Sequence, residues 1–142
     1  MDIIYKLNAS VTTDQFIGLL ASSSLGERRP LNDRQCMEGV LRHSNLVVSA
    51  WLNNELVGIA RSVTDFHYAC YLSDLAVDKE CQRQGVGREL QRRTQEQLGP
   101  KCKLILLAAP LANDYYHPLG YQHNPRCWVL EPDINISEPG TG

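Results

Sequence analysis

The run Leu72-Ser-Asp-Leu-Ala-Val77 leads through Asp78-Lys-Glu-Cys81 into Gln82-Arg-Gln-Gly85-Val-Gly87, and then into Arg88-Glu-Leu90. That order predicts a strand, a glycine-bearing loop and the opening turn of an amphipathic helix. The first N–H groups of a helix have no internal partners, and the helix dipole adds partial positive charge there. Gly85 and Gly87 have no side chain to hold a large anion away from the backbone. The chemistry on offer is a cradle for a pyrophosphate. No Gly-Lys-Ser/Thr follows, so this is not a Walker loop, and the glycines are not spaced as GxGxxG.

A second stretch of interest is Ala112-Asn113-Asp114-Tyr115-Tyr116-His117-Pro118-Leu119-Gly120-Tyr121. The spacing Gln82-x-x-Gly85-x-Gly87 resembles the coenzyme A-binding motif of the GNAT acetyltransferase superfamily, (Arg/Gln)-x-x-Gly-x-(Gly/Ala). The second stretch resembles that family's later motif, in which a helical tyrosine precedes a Gly-aromatic pair. The resemblance covers residues 46–130, and two helices expected before it also fit. It implies an α/β (α+β) single-domain GNAT fold. The central sheet would be mixed, mostly antiparallel and flanked by helices, with splayed central strands forming the acetyl-CoA cleft. Acetyl-CoA would be the cosubstrate, with no metal. Main-chain groups of Leu75, Ala76 and Val77 would bond the pantetheine arm. Gln82, Arg83, Gln84, Gly85, Val86, Gly87 and Arg88 would surround the pyrophosphate. Asn113 and Tyr116 would complete the cofactor-binding set.

The same resemblance implies direct attack of an amine on the thioester, without an acyl-enzyme. Tyr116 is then the expected general acid. A phenol has an ordinary pKa of about 10, so it is protonated at neutral pH and can meet a developing thiolate. Tyr115 competes for the role. Adjacent helical residues point about 100° apart, so only one reaches the sulfur, and the spacing to Gly120 favours Tyr116. Pro118 keeps this helix short or irregular. For the base, Tyr71, Ser73 and Asp74 are the candidates. Strand alternation places Tyr71 and Ser73 on one face and Asp74 on the other. Ser73 stands where the glucosamine-phosphate acetyltransferase branch carries an acid. A water held by Ser73 and the main chain is the preferred base, and Asp74 reads as structural.

In GNAT enzymes the first two helices and their loop build part of the acceptor site. Here that loop holds Gly26-Glu27-Arg28-Arg29-Pro30-Leu31. The segment from Arg29-Pro30 to Val77 is also similar to plant and cyanobacterial arylalkylamine acetyltransferases and their bacterial relatives. This suggests a small primary amine as acceptor. Arg28 and Arg29 read equally well as a solvated charge pair. A peptide amino group as acceptor, or a sensor that binds acetyl-CoA without turnover, are the alternatives.

The elements that must position these residues follow from periodicity. Ile3 to Leu7 predicts a short strand. Thr12 to Gln15 fits a capping box for a helix with Phe16, Ile17, Leu19 and Leu20. Asn32 or Asp33 can cap a second helix that buries Cys36, Met37, Val40 and Leu41. Leu46–Leu52 and Leu56–Val63 predict a hairpin about Asn53-Asn54, with Tyr68–Val77 as the next strand. Val86–Leu98 predicts a helix ended by Gly99-Pro100. Leu104–Ala109 predicts a buried parallel strand, Ala112–His117 a short helix, and Arg126–Leu130 a last strand.

With 142 residues, the chain has room for one domain, expected over 1–131, and a flexible tail over 132–142. The formal charge of -2 gives no reason to expect a nucleic-acid partner. The five cysteines are scattered and the four histidines lack metal spacing, so neither a disulfide framework nor a metal site is expected. No run is apolar enough for a membrane anchor or a signal peptide, which points to a cytoplasmic protein without a membrane partner. A homodimer is left open.

Overall fold

Thr12 opens the first helix as its spacing predicts. Its hydroxyl accepts from the Gln15 amide while the Gln15 side chain accepts from the Thr12 amide. The computed structural model describes residues 2–137. Strand β1 (Ile4–Leu7) precedes this helix, α1 (Thr13–Ala21). A 3-10 turn (Ser24–Arg28) leads to α2 (Arg34–Arg42), which is capped by the Asp33 carboxylate on the Cys36 amide. Then come β2 (Leu46–Leu52), β3 (Glu55–Thr64), β4 (Ala69–Val77), α3 (Val86–Glu96) and β5 (Lys103–Ile105). Both Asn53 and Asn54 have positive φ, 50° and 65°, as a two-residue hairpin between β2 and β3 requires.

The sheet has the order β1-β2-β3-β4-β5, with only the β4–β5 pair parallel. It is a single open sheet with helices on both faces. On one face Phe16, Leu19, Leu20 and Met37 of α1 and α2 pack over Val47, Ile59 and Ala76. On the other, Val86 and Leu90 of α3 pack over Val48, Ala50, Val57, Ala60 and Leu72. Gly58 lets α3 approach closely: a Cβ there would stand 3.1 Å from Leu90 and 3.2 Å from Val86. None of the described helices is long and apolar enough to cross a membrane.

Several expectations are corrected. Cys36 is exposed, so the buried side of α2 is Met37 with Val40 and Leu41. The expected strand over 104–109 forms only at Lys103–Ile105. It has one partner, β4, and Leu107 just beyond it is 51% exposed. The expected last strand over 126–130 does not form, and Trp128 is 92% exposed. Among the described residues no further strand pairs with the outer edge of β5. The short helix resolves into 3-10 turns at Pro110–Tyr115 and His117–Leu119, consistent with the missing N–H of Pro118. Of the expected tail, residues 138–142 lie outside the described residues.

Candidate active site

Strand β4 is the axis of the site. Its pairing with β5 runs only through Ala69↔Lys103, Cys70↔Leu104 and Tyr71↔Ile105. From Leu72 to Val77 the same edge has no strand beside it among the described residues. Backbone groups on such an edge need partners from elsewhere. This opening is the splay expected between these strands, and it holds Leu75, Ala76 and Val77. The Ala76 side chain is buried under α1, so only its main chain can serve a ligand. The surface hollows elsewhere, one beside β1 and α3 and one beside the β1–α1 connection, are not lined by β4.

Ser73 interrupts the regular alternation. Leu72 pairs with Ser62 and Asp74 with Arg61, leaving Ser73 without a partner across the strand. This one-residue bulge reverses the pleat. Leu72 packs on the α3 face, whereas Ala76, of the same parity, packs on the α1–α2 face. Ser73 and Asp74 therefore do not point to opposite faces, as simple alternation predicts. Both bond one guanidinium: Arg61 Nη2 donates to Ser73 Oγ at 2.8 Å, and Arg61 Nε to Asp74 Oδ2 at 2.5 Å. Asp74 is 1% exposed and also accepts from Arg29 Nε at 2.6 Å. Arg29 is thus no member of a solvated pair, because it holds a buried carboxylate. The neighbouring guanidinium makes Ser73 a poor proton acceptor but leaves its own O–H available to donate.

At the end of β4 the Gln82 amide donates to the Val77 carbonyl at 3.0 Å, which ties the loop to the strand. Arg83 and Gly85 adopt positive φ, 64° and 82°. Gly85 caps α3 with no side-chain bond, and its carbonyl accepts from the Glu89 amide. The amides of Val86, Gly87 and Arg88 precede that first helical bond and aim out of the helix end. A side chain on Gly85 would meet nothing within 4 Å, so the approach to these amides is open. Arg83, Gln84 and Arg88 are exposed around it, while the Val86 side chain is buried in the core. Donors, openness and a local positive end fit a coenzyme pyrophosphate.

The tyrosines form a row on the α3 side. Tyr116 lies between Tyr115 and Tyr121, edge to face, with ring centroids 5.0 and 5.4 Å away. Gln91, 5% exposed, organises the outer two. Its Oε1 accepts from the Tyr121 hydroxyl at 2.8 Å, and its Nε2 donates to the Gly87 carbonyl and the Tyr115 hydroxyl. The Tyr115 oxygen lies 3.2 Å from where a Gly87 Cβ would stand, so Gly87 makes room for it. The Tyr116 hydroxyl has no hydrogen-bond partner among the described residues. Burial, and secondarily Tyr115, raise its pKa above the ordinary 10.0. Burial also pushes the Tyr121 phenol well up. Asn113 is exposed on the same turn.

Ser73 and Tyr116 thus sit in two clusters, one reaching toward α2 and the other toward α3, and no hydrogen bond joins them. Gln91 and Arg61 escaped the sequence reading, and Arg29 entered it only within the acceptor loop or as half of a solvated charge pair. A signal was present for Arg61, an arginine inside the apolar run Leu56–Val63, and for Asp74, an acid inside another. Buried charges come in pairs; hairpin counting sets Arg61 opposite Ser73, and the bulge moves Asp74 into that place.

A family model described as an acetyltransferase (GNAT) domain matches residues 26–126. The GCN5-related N-acetyltransferase 1, chloroplastic, of Arabidopsis thaliana is 28% identical over 102 residues, covering 68% of this chain and 51% of its own length. The chain therefore spans about half of that relative. A GNAT family acetyltransferase from Streptococcus pneumoniae superposes with a TM-score of 0.73 at 20% identity, over 91% of this chain and 98% of that one. An aminoglycoside N-acetyltransferase solved with CoA gives 0.71 at 14% identity, over 94% and 96%. The structural likenesses establish the fold. The family model spans both the open edge of β4 and the tyrosine row, and the chain belongs to the GNAT acetyltransferase family.

Proposed function

We propose that this chain is an N-acetyltransferase that passes the acetyl group of acetyl-CoA directly to a primary amine of a small molecule. The observation that carries the reading is Tyr116. Of the three neighbouring phenols it alone makes no hydrogen bond among the described residues, and Gln91 holds the ring on either side of it. Bound acetyl-CoA would supply a thioester as acetyl donor and a thiol as leaving group. The amides of Val86, Gly87 and Arg88 would hold its pyrophosphate, with Gln82 to Gln84 around them. Main-chain groups from Leu75 to Val77 and the Asn113 side chain would line the arm. Tyr116, kept protonated by burial, would donate its proton toward the sulfur. Ser73, unable to take a proton beside Arg61, would with the main chain position a water that takes the amine proton and passes it to bulk solvent.

Two comparisons support an amine acceptor. The curated relative is named an N-acetyltransferase, and several structural neighbours are aminoglycoside acetyltransferases. The test is release of free thiol from acetyl-CoA across a panel of arylalkylamines, aminoglycosides, peptides and alcohols. A small primary amine is expected to react fastest. Hydroxyl acceptors outrunning every amine would refute the reaction class, and coenzyme binding without thiol release would make the chain a sensor.

A further inference from the structure

The charge cluster around Asp74 holds more cation than it needs. Arg61 is 6% exposed and Asp74 1%, so these two alone form a neutral buried pair. Arg29 adds a second guanidinium on the other carboxylate oxygen, leaving the cluster with a formal surplus of one positive charge. Its side chain is 26% exposed. Each arginine then uses a further donor on the bulge. Arg29 Nη2 bonds the Ser73 carbonyl at 2.9 Å, and Arg61 Nη2 bonds the Ser73 hydroxyl at 2.8 Å. The residue that strand pairing leaves alone is therefore held at both its backbone and its side chain.

The two arginines come from different places. Arg61 is on β3 and reaches Ser44 after α2. Arg29 is the first residue after the 3-10 turn Ser24–Arg28, in the connection between α1 and α2, and also bonds the Arg28 carbonyl. It is the contact that joins this connection to the cleft strand by charge. We propose that Arg29 is a positioning residue that latches the α1–α2 connection onto the β4 bulge and fixes the amine side of the site relative to Ser73. This rests on acetyl transfer at the β4 edge. The planar fork explains the residue type, since one guanidinium reaches Asp74 and the Ser73 carbonyl together, which a lysine ammonium cannot do.

The test uses the full chain with Arg29→Gln and Arg29→Lys, under saturation kinetics in amine and in acetyl-CoA separately. Arg29→Gln leaves the Asp74–Arg61 pair neutral, so folding is retained. Its kcat/KM for the amine falls between about ten- and a hundredfold, the scale of a small misplacement of reacting groups. Coenzyme affinity by calorimetry stays within about threefold. Arg29→Lys recovers part of the loss, and it carries the test should Arg29→Gln not fold. Wild-type kcat/KM for the amine in the variants would overturn the latch, as would an equal loss in coenzyme affinity. If the wild type releases thiol with no amine, the proposed function fails separately. Hydrogen exchange then decides the latch. Selective deprotection of the Leu25–Arg28 amides in Arg29→Gln supports it, and unchanged protection refutes it.

Discussion

Removing a single oxygen from Tyr116 is expected to slow the enzyme without loosening it. Its hydroxyl makes no hydrogen bond among the described residues, so Tyr116→Phe breaks no contact in the resting fold. The stability change belongs with ordinary small effects, within about 0.5 kcal/mol. The loss falls in the transition state, where a donor to the departing sulfur is missing. A ten- to thousandfold fall in kcat is expected, or about 1.4–4 kcal/mol. Tyr121→Phe supplies the opposite case. It leaves Gln91 Oε1 buried without its 2.8 Å donor, a penalty of about 1–3 kcal/mol, which lowers the melting temperature by several degrees. Tyr115→Phe is the mild control, since that hydroxyl only accepts a 3.3 Å bond on a side chain that is 42% exposed. Because burial raises the Tyr116 pKa above 10.0, the alkaline fall in kcat should lie above that value and vanish in Tyr116→Phe. Steady-state rates, single-turnover rates and thermal melts on the three variants form the assay. Wild-type turnover by Tyr116→Phe with chemistry limiting would refute the acid role. A larger rate loss in Tyr115→Phe would give the role to its neighbour.

Gly87→Glu should abolish coenzyme binding while circular dichroism stays native, because it adds bulk and negative charge next to the amides proposed to hold the pyrophosphate, and its Cβ meets the Tyr115 hydroxyl at 3.2 Å; near-normal affinity by calorimetry would remove this loop from the binding site. Asp65 closes the β3–β4 hairpin by accepting from the His67, Tyr68 and Ala69 amides, which lowers its pKa from 3.8 to about 2. A depressed carboxylate stabilises the fold fully above its unfolded pKa and loses that contribution as pH falls through the folded value. The melting temperature of wild type should therefore exceed that of Asp65→Ala by a gap that narrows from pH 5 to pH 2, and a constant gap would show that the charge is irrelevant.

Local rules carried most of the fold. The Thr12–Gln15 box, the Asn53-Asn54 turn and the stripe Val86–Leu90 each specify their element within a few residues, and each formed. The short β5 and the absent strand at 126–130 depended on an edge finding a partner, which no local pattern encodes. The glycine loop could be read because Gly85 and Gly87 answer to backbone geometry. Tyr115 and Tyr116 could be located in sequence, and the spacing to Gly120 favours Tyr116, but the hydrogen bonding that distinguishes the two hydroxyls could not be read. It comes from Gln91, a helix residue that looks solvent-facing until the tyrosine turn covers it. Arg29 was misread because its partner lies 45 residues away, across a bulge.

That bulge has a consequence for anyone who redesigns the strand. A binary apolar–polar template laid along β4 at strict period two fails at its midpoint, because Leu72 answers to one layer and Ala76 to the other. A library must be written as two words of opposite phase, joined at Ser73. Point substitutions leave that joint intact, whatever residue they install. Deleting Ser73 would bring the words into a single phase and swing either Asp74 and Ala76 or Cys70 and Leu72 through the sheet. Transplanting this strand into another scaffold therefore requires moving its length as well as its letters.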